Sequence, residues 1–303
     1  MRRVTCLFPT ATEIAFGIGA GDQVVGVSHA CDYPPAAAQR KAVTRARFDQ
    51  KELSSRAIYN QKVETATRFG SIYRLDESAL WGLRTQAIVT QGPSDFALVS
   101  LQGIRAIAEG LNPRPEVLAL YPRHLDDVLD DHVRVGLTAG QLHDGRALVE
   151  DMRKRIATVQ DELSGARRMQ VVFVQWLDPS FAGGYWIPQL VEIAGGIDVL
   201  GTPGVSPNRF RWPDLRRRNP DVLVVACEEL SMERVRAEMG LLTDRPGWSD
   251  LAAVRRGRVY LGDGRCFIRG GPRVIEALEA LAWAIHPDRF EAPPPEVLQR
   301  FGD

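Results

Sequence analysis

The 303-residue sequence has no excess of charge of either sign, because Lys plus Arg and Asp plus Glu number 38 each. Without a global electrostatic field, we expect neither nucleic acid nor an anionic membrane as a partner. No apolar run approaches the roughly 18 residues that a membrane helix requires. The first residues also lack a long apolar segment followed by a small-residue cleavage site. We therefore expect no membrane span, no secretory signal and a cytoplasmic location.

Cysteine is scarce, with four residues far apart in the sequence and no Cys-x-x-Cys pair among them. This spacing argues against a structural zinc site and fits reduced thiols. A looser metal site is still open, because His29 and Cys31 follow a predicted strand and Cys227 or Cys266 could supply a third ligand. These four residues define one alternative function, a metal- or cluster-dependent enzyme or metallochaperone.

Motifs for nucleotide and acyl chemistry are missing as well. The stretch GIGAG follows a predicted helix and precedes a strand, which is the reverse of a dinucleotide-binding loop. In GVSHA, Ala30 stands where a nucleophile elbow has its last glycine, and the sequence contains neither a P-loop nor His-Glu-x-x-His. Asp32, close to two prolines, is more simply a residue that stabilises its loop by accepting backbone N–H bonds. Glu228 and Glu229 are more simply the solvated start of a helix. We therefore expect no enzyme.

Strand-like and helix-like segments alternate along the chain. RRVTCLF, QVVGVS, TQAIVTQ and EVLALYP are typical of short buried strands, and FALVSLQGIRAIAEGL of an amphipathic helix. Between the first two strands, TATEIAFGIGAGD predicts a helix with Thr10 and Glu13 as a capping box. The alternation predicts an α/β fold with parallel sheets.

A different pattern spans residues 138–165, which carry no proline and no strand-like run across about seven helical turns. It predicts one long helix that ends at Gly165. The order of helix, glycine and strand in TEIAFGIGAGDQVVGVS recurs in WIPQLVEIAGGIDVLG, which indicates an internal duplication. We expect two Rossmann-like lobes, over residues 1–137 and 167–303, joined by a backbone helix over residues 138–166, with a ligand cleft between the lobes.

Ligands of open α/β sheets bind beyond the carboxyl ends of the strands, where this sequence has HACDYPP, QGPSDF, QWLDPSFAGGYW and GDGRCFIRGGPR. Four aromatic residues fall within eleven positions, Trp176, Phe181, Tyr185 and Trp186, and Trp212 follows them. A single aromatic of this kind is more simply a core residue. The cluster as a whole favours a cleft for a large flat ligand.

The start of the last predicted helix is a second candidate for ligand contact. Gly270 and Gly271 leave N–H groups open there, and Arg269 and Arg273 flank them. This arrangement favours an anion or an amide-rich ligand edge, although a simple turn of the chain with solvated arginines explains the same residues.

The motifs SHACDYPP after VVGV, FVQWLDPSFAGGYWIPQLVEIAGGIDVLG, RWPDL with NPDVLVVA, and RCFIRGGPRVIEALEALA occur in this order over nearly the whole chain. They resemble the cobalamin-binding proteins of the ABC-transporter substrate-binding class, which have two Rossmann-like lobes and a helical backbone. The resemblance implies non-catalytic binding of a corrinoid, either cobalamin or a precursor such as cobinamide. Together with the loops above, it gives the candidate ligand-binding residues Asp32, Tyr33, Gln91, Trp176, Phe181, Tyr185, Trp186, Trp212, Phe267 and Arg269.

Haem and ferric siderophores are alternative ligands on the same fold, because related members carry them. For haem, His29 is the one histidine of five that we expect at a strand end facing the cleft. The chain also departs from the secreted members. It looks closest to a signal-less cytoplasmic branch, yet it has no cysteine in TQGPSDFALVS, where that branch carries Cys-x-x-Cys. The segments SDFALVS and PDLRRRNP stand where secreted members place docking glutamates, so we expect docking to a permease to be doubtful.

Overall fold

The computed structural model describes residues 1–93 and 96–302, and it divides the chain into two compact units. The boundaries predicted after residues 137 and 166 stay a prediction, and this division falls between residues 151 and 152. None of the helices in the described chain combines the length and apolar composition needed to cross a membrane. The first unit comprises Met1–Leu53, Ala57–Tyr121 and Asp127–Asp151, and the second comprises Ser54–Arg56, Pro122–Asp126 and the described chain from Met152 onward.

The first unit is built on a parallel five-stranded sheet and a separate antiparallel ribbon. Val4 pairs with both Val24 and Ala87, so the first strand is central. Central parallel strands are buried on both faces, which explains their uninterrupted apolar sequences. The sheet order is β3–β2–β1–β6–β7, and β4 pairs with β5 in the ribbon. The strands are β1 (Val4–Cys6), β2 (Val24–Val27), β3 (Lys41–Ala42), β4 (Thr44–Ala46), β5 (Tyr73–Leu75), β6 (Ala87–Gln91) and β7 (Glu116–Leu120).

The helices of the N-terminal half connect these strands. The predicted capping box is wrong, because Phe8 is the N-cap of the first helix and Pro9 occupies its first turn. Proline is preorganised for that position, so the helix starts before Thr10. Thr10 and Glu13 are therefore buried inside the helix. The helices are α1 (Pro9–Gly17), α2 (Ser55–Phe69), α3 (Glu77–Gly82), α4 (Leu101–Gly110), α5 (Leu125–Ala139) and α6 (Leu142–Glu162).

The predicted single helix over residues 138–165 also needs correction. The segment contains the end of α5, a break, and α6. Gly140 has a φ of +74°, a left-handed conformation that ends a helix and that glycine adopts without steric cost. Gly165, at the other end, has a φ of +70° and follows α6 as predicted. The sequence pattern did not predict this break, because one glycine inside a helical period is compatible with a continuous helix.

The second unit repeats the strand order of the first. β1 lies between β2 and β6, and its counterpart β8 lies between β10 and β11, as the duplication predicts. The order is β10–β8–β11–β12–β13, in which the first four strands are parallel, β13 is antiparallel, and β9 pairs with β8. The strands are β8 (Met169–Trp176), β9 (Phe181–Ala182), β10 (Gly196–Asp198), β11 (Val222–Val225), β12 (Val259–Gly262) and β13 (Leu298–Arg300).

The last seven helices of the described chain belong to this second unit, as does the part of α6 from Met152 onward. Asp263 caps the short helix after β12, which the sequence analysis did not predict, by accepting a hydrogen bond from the Arg265 N–H at 2.9 Å. The final helix begins at Val274, two residues after Pro272. The helices are α7 (Ile187–Ile193), α8 (Trp212–Arg218), α9 (Met232–Ala237), α10 (Gly240–Thr243), α11 (Ala252–Arg255), α12 (Gly264–Ile268) and α13 (Val274–Ile285).

Candidate ligand-binding site

Two loops run side by side in the second unit, one after β8 and one before α8. The N–H of Phe210 donates to the Ser180 carbonyl at 3.1 Å, and the N–H of Tyr185 donates to the Val205 carbonyl at 2.7 Å. Phe181 forms an isolated antiparallel bridge to Arg209 between these points. The backbone bonds therefore hold residues 180–185 against residues 205–210. We call this pair of segments the paired loops.

A glycine makes the close approach of the paired loops possible. A Cβ atom on Gly184 would lie 2.4 Å from the Pro207 nitrogen, so no larger residue fits without moving backbone. The Gly184 N–H donates to the buried Gln175 side chain at 3.0 Å, which fixes the loop to the end of β8. Gly184 is thus required by backbone packing, whereas a Cβ on Gly183 would meet the Ile187 side chain at 2.6 Å.

Three aromatic side chains are half-buried on or directly after the paired loops: Phe181, Tyr185 and Trp212. Trp212 stacks on Trp248 with ring centroids 6.3 Å apart and an interplanar angle of 27°, and its Nε1 donates to the Pro246 carbonyl at 3.0 Å. The hydrogen bond fixes the indole plane while part of its surface stays accessible. Sequence reasoning missed Trp248, whose only signal was a tryptophan directly after a Pro-Gly turn.

The other predicted aromatics need correction, because the structure buries them. Trp176 is 6% exposed and Trp186 is 7% exposed, while Phe267 is fully buried and packs against Phe173 at a centroid distance of 5.5 Å. Their polar atoms are satisfied internally, since Trp186 Nε1 donates to the Phe267 carbonyl at 3.0 Å and Trp176 Nε1 to the Asp178 carbonyl at 3.1 Å. These rings support the loops and leave little area for a ligand.

Arg269 was predicted as a ligand-facing cation, and the structure pairs it with a carboxylate. Its guanidinium is almost fully buried and donates to both oxygens of Glu229, with distances of 3.1 Å from Nε and 2.8 Å from Nη2. Glu229 is not the solvated helix start that we expected, because it precedes α9 in a loop with a φ of +59°. The pair joins the segments after β11 and β12 and neutralises the arginine.

In the first unit, the predicted residues follow the carboxyl ends of β2 and β6. Asp32 and Tyr33 are exposed in the loop after β2. Gln91 ends β6, and its side chain accepts a hydrogen bond from the Leu98 N–H at 3.3 Å. His29 Nδ1 lies 2.7 Å from the hydroxyl of Thr44. The His29 ring also meets Tyr73 edge to face at 4.4 Å.

The proposed metal ligands are not brought together. Cys31 is buried, and its sulfur lies 3.0 Å from the Thr12 hydroxyl, whereas His29 is exposed. Burial raises the pKa of the Cys227 thiol, so the neutral thiol is favoured over the metal-binding thiolate. Within residues 1–93 and 96–302, no three His, Cys, Asp or Glu side chains form a group that could hold a metal ion. The alternative based on His29, Cys31, Cys227 and Cys266 therefore lacks a ligand set among the described residues.

Comparison with known proteins identifies the family. Residues 105–266 match the sequence profile described as periplasmic binding protein. The chain belongs to the periplasmic binding protein family. An uncharacterised ABC transporter substrate-binding lipoprotein of Bacillus subtilis is 22% identical, over 96% of this chain and 82% of that protein. A vitamin B12-binding protein of Vibrio cholerae is 19% identical, over 91% of this chain and 86% of that protein.

Solved structures of this family confirm the α/β fold. A periplasmic heme binding protein from Pseudomonas aeruginosa superposes with a TM-score of 0.72 at 19% identity, covering 100% of this chain and 98% of that one. The periplasmic binding protein family binds solutes without turnover, and the relatives named above are binding proteins rather than enzymes, as expected. Which solute this member binds is a narrower question.

Several expectations stay predictions. These are the cytoplasmic location and the position of the ligand relative to the two units. The doubt about permease docking also stays a prediction, and a relative named as an ABC transporter substrate-binding lipoprotein argues against it. Ser94 and Asp95 of the segment SDFALVS, on which that doubt partly rests, lie outside the described residues.

Proposed function

We propose that this periplasmic binding protein family member binds a corrinoid, cobalamin or a precursor such as cobinamide, without chemical turnover. The observation that carries the proposal is the group of half-buried aromatic rings of Phe181, Tyr185 and Trp212 on and beside the paired loops. Large flat ligands need stiff amphipathic walls, and aromatic side chains supply contact area at low entropic cost. The vitamin B12-binding relative supports the same ligand class.

Two features make these rings suitable as a preformed surface. Trp212 is held by its stack on Trp248 and by the hydrogen bond to Pro246, so little side-chain freedom is lost on binding. Tyr185 has a φ of +53° and stacks on Trp186 with ring centroids 6.2 Å apart. A surface that is ordered before the ligand arrives retains more of its contact energy as affinity.

Haem is the competing ligand, since a structurally similar protein is named for binding it. Haem iron takes an axial ligand from the protein, usually a histidine, tyrosine, cysteine or methionine side chain. On the paired loops, Tyr185 is the one residue of these four types within residues 180–185 and 205–210. In the first unit, His29 is exposed after β2. Substituting Tyr185 or His29 distinguishes the two ligands. Haem needs a ligating atom from one of these side chains, whereas stacking of a corrinoid needs only the aromatic ring faces on and beside the paired loops.

The test is a titration of the purified protein with cobalamin, cobinamide and haem. Binding is followed by tryptophan fluorescence and by the visible spectrum, with equilibrium dialysis as an independent measure. We expect saturable binding of a corrinoid and about tenfold weaker binding in Trp212→Ala, the effect of losing one well-packed aromatic contact. Trp81→Ala is the matched control, because Trp81 is 58% exposed on α3 of the other unit.

The outcomes separate the candidates. Saturable haem binding without corrinoid binding, lost in Tyr185→Phe or His29→Ala, would replace the corrinoid by haem. Equal corrinoid affinity in the wild type and Trp212→Ala would show that the ligand does not stack on Trp212. An absence of binding by all three compounds would remove the tetrapyrrole class altogether.

A further inference from the structure

The ribbon formed by β4 and β5 in the first unit places two arginines opposite each other. Arg45 pairs directly with Arg74 in the antiparallel register, so their side chains project from the same face. Like charges at directly opposed positions destabilise a ribbon. Both residues are exposed, and the ribbon is only three residue pairs long, so few other contacts compensate this repulsion.

A third arginine lies on the same side of the ribbon. The Arg47 N–H donates to the Ile72 carbonyl at 3.3 Å, which continues the pairing beyond β4. The two-residue period of an extended strand puts Arg47 on the side of Arg45. The Arg47 guanidinium lies 4.4 Å from the centre of the Phe69 ring, and Arg68 lies over the same ring at 5.1 Å. Arg47 and Arg68 therefore share one aromatic ring, and Arg47 directly follows the strand that carries Arg45.

One carboxylate, that of Asp76, approaches this group of arginines. In the part of the chain that the structure describes, Arg47, Arg68 and Arg74 form no ion pair, and the buried Nε of Arg47 has no hydrogen-bond partner. Arg45 reaches Asp76 only at 3.6 Å.

The Oδ1 atom of Asp76 caps α3 by accepting hydrogen bonds from the Ala79 N–H at 3.0 Å and from the Ser78 hydroxyl at 2.9 Å, and its Oδ2 pairs with Arg45. One carboxylate therefore offsets part of the charge of Arg45, while Arg47, Arg68 and Arg74 keep their charge.

We propose that Arg45, Arg74 and Arg47 bind the phosphate group of a soluble ligand. The planar guanidinium fork matches phosphate oxygens and donates two parallel hydrogen bonds, which makes arginine the usual residue for this purpose. A phosphate between Arg45 and Arg74 offsets the repulsion across the ribbon. An anionic membrane is the less suitable partner, because the charge is confined to one short ribbon and the chain has no net charge to hold it at such a surface.

The experiment uses inorganic phosphate as the probe, with sodium chloride at matched ionic strength as the reference. Saturable broadening of the phosphorus-31 resonance measures binding. In Arg45→Gln/Arg74→Gln the affinity is expected to fall about tenfold or more, because charge-assisted hydrogen bonds are lost. In Arg105→Gln/Arg167→Gln it is expected to stay unchanged, since both of these arginines are exposed and outside the ribbon.

Two further results bear on the proposal. Without phosphate, Arg45→Gln/Arg74→Gln is expected to be at least as stable as the wild type, because it removes the opposed charges, so a folding defect does not obscure the result. Arg45→Lys/Arg74→Lys keeps the charge and loses the fork, and intermediate affinity supports recognition by the guanidinium.

The proposal is overturned if the wild type shows no saturable phosphate binding. It is also overturned if both double glutamine variants bind phosphate as the wild type does, or if both lose affinity equally. Binding to phosphatidylglycerol vesicles without binding of free phosphate would overturn it in favour of a membrane surface. The corrinoid titration is judged by the effect of Trp212→Ala in the second unit and the phosphate titration by substitutions in the first unit, so either proposal can fail without the other.

Discussion

Asp198, at the end of β10, gives the clearest quantitative prediction. Its Oδ1 accepts hydrogen bonds from the N–H groups of Leu200 at 3.0 Å and Gly201 at 2.7 Å, while its Oδ2 is buried and has no partner among the described residues. Burial raises the pKa of this carboxyl from 3.8 to about 6, and the two backbone hydrogen bonds oppose the rise only in part. The ionised carboxylate is therefore costly in the folded state at neutral pH.

The substitution Asp198→Asn removes this cost and keeps the hydrogen bonds. The asparagine oxygen replaces Oδ1, and its NH₂ group replaces the unpartnered Oδ2. The Gly183 carbonyl lies in the same neighbourhood, because a Cβ on Gly201 would be 2.6 Å from Oδ2 and 2.7 Å from that carbonyl oxygen. A pKa difference of about two units corresponds to roughly 3 kcal/mol, which is the upper limit of the expected stabilisation.

The sign of the pH dependence follows from linkage. Because the folded pKa lies above the unfolded value of 3.8, the stability that Asp198 contributes is complete below pH 3.8 and is lost as the pH rises through about 6. Asp198→Asn should therefore raise the free energy of unfolding most at pH 8, less at pH 6 and hardly at pH 3.5. Urea denaturation at these three pH values measures the difference.

Asp214 is the matched control with the opposite sign. A hydrogen bond from the Arg211 N–H holds the pKa of the Asp214 carboxyl below its usual value. A hydrogen bond from the Arg211 side chain contributes a smaller lowering of the same pKa. A depressed folded pKa contributes stability at neutral pH that is lost as the pH falls, so Asp214→Asn should destabilise the protein at pH 8 and less in acid. An Asp198→Asn variant that is less stable than the wild type at pH 8, or equally shifted at every pH, would refute the reasoning about Oδ2.

Gly264→Ala tests packing, with Gly82→Ala as its control, and His132→Leu tests the burial of a titratable group. Gly264→Ala should destabilise the protein by about 1–3 kcal/mol or more, since its Cβ would lie 1.9 Å from the Cys227 carbonyl oxygen. Gly82→Ala, with nothing within 4 Å, should cost nothing in urea denaturation, and an equal loss in both variants would contradict this. Burial lowers the pKa of His132 to about 4, so stability should fall as the pH drops from 6.5 toward 4. His132→Leu should flatten this dependence, and an unchanged slope would assign it to other groups.

The parallel sheets could be predicted because local sequence determines them. Strands buried on both faces need continuous apolar runs, and Val222–Val225 is such a run with all four residues buried. The repeat was visible for the same reason, since each copy must alternate strands and helices. The break at Gly140 was not, because one glycine does not alter the helical period, and only the φ of +74° reveals the end of α5.

The candidate site was predictable in composition but not in detail. The aromatic cluster and its loops were evident from position after a strand. Which rings stay accessible depends on partners distant in sequence, such as Phe173 packing on Phe267 and Glu229 binding Arg269 across 40 positions. A pattern of residue types carries no information about such partners, so exposed and buried aromatics looked alike.

The proposed aromatic surface does not by itself select one ligand. Stacking on Phe181, Tyr185 and Trp212 favours any flat ring system, because every such ring offers an apolar face. Axial ligation is selective, because it requires one particular atom at one particular place. Under the proposed function, aromatic contacts supply affinity that corrinoids and haem can share, and we expect the side chains that can ligate iron, Tyr185 and His29, to distinguish the two ligands. Substituting these two side chains separates the ligands more sharply than any change in the aromatic surface.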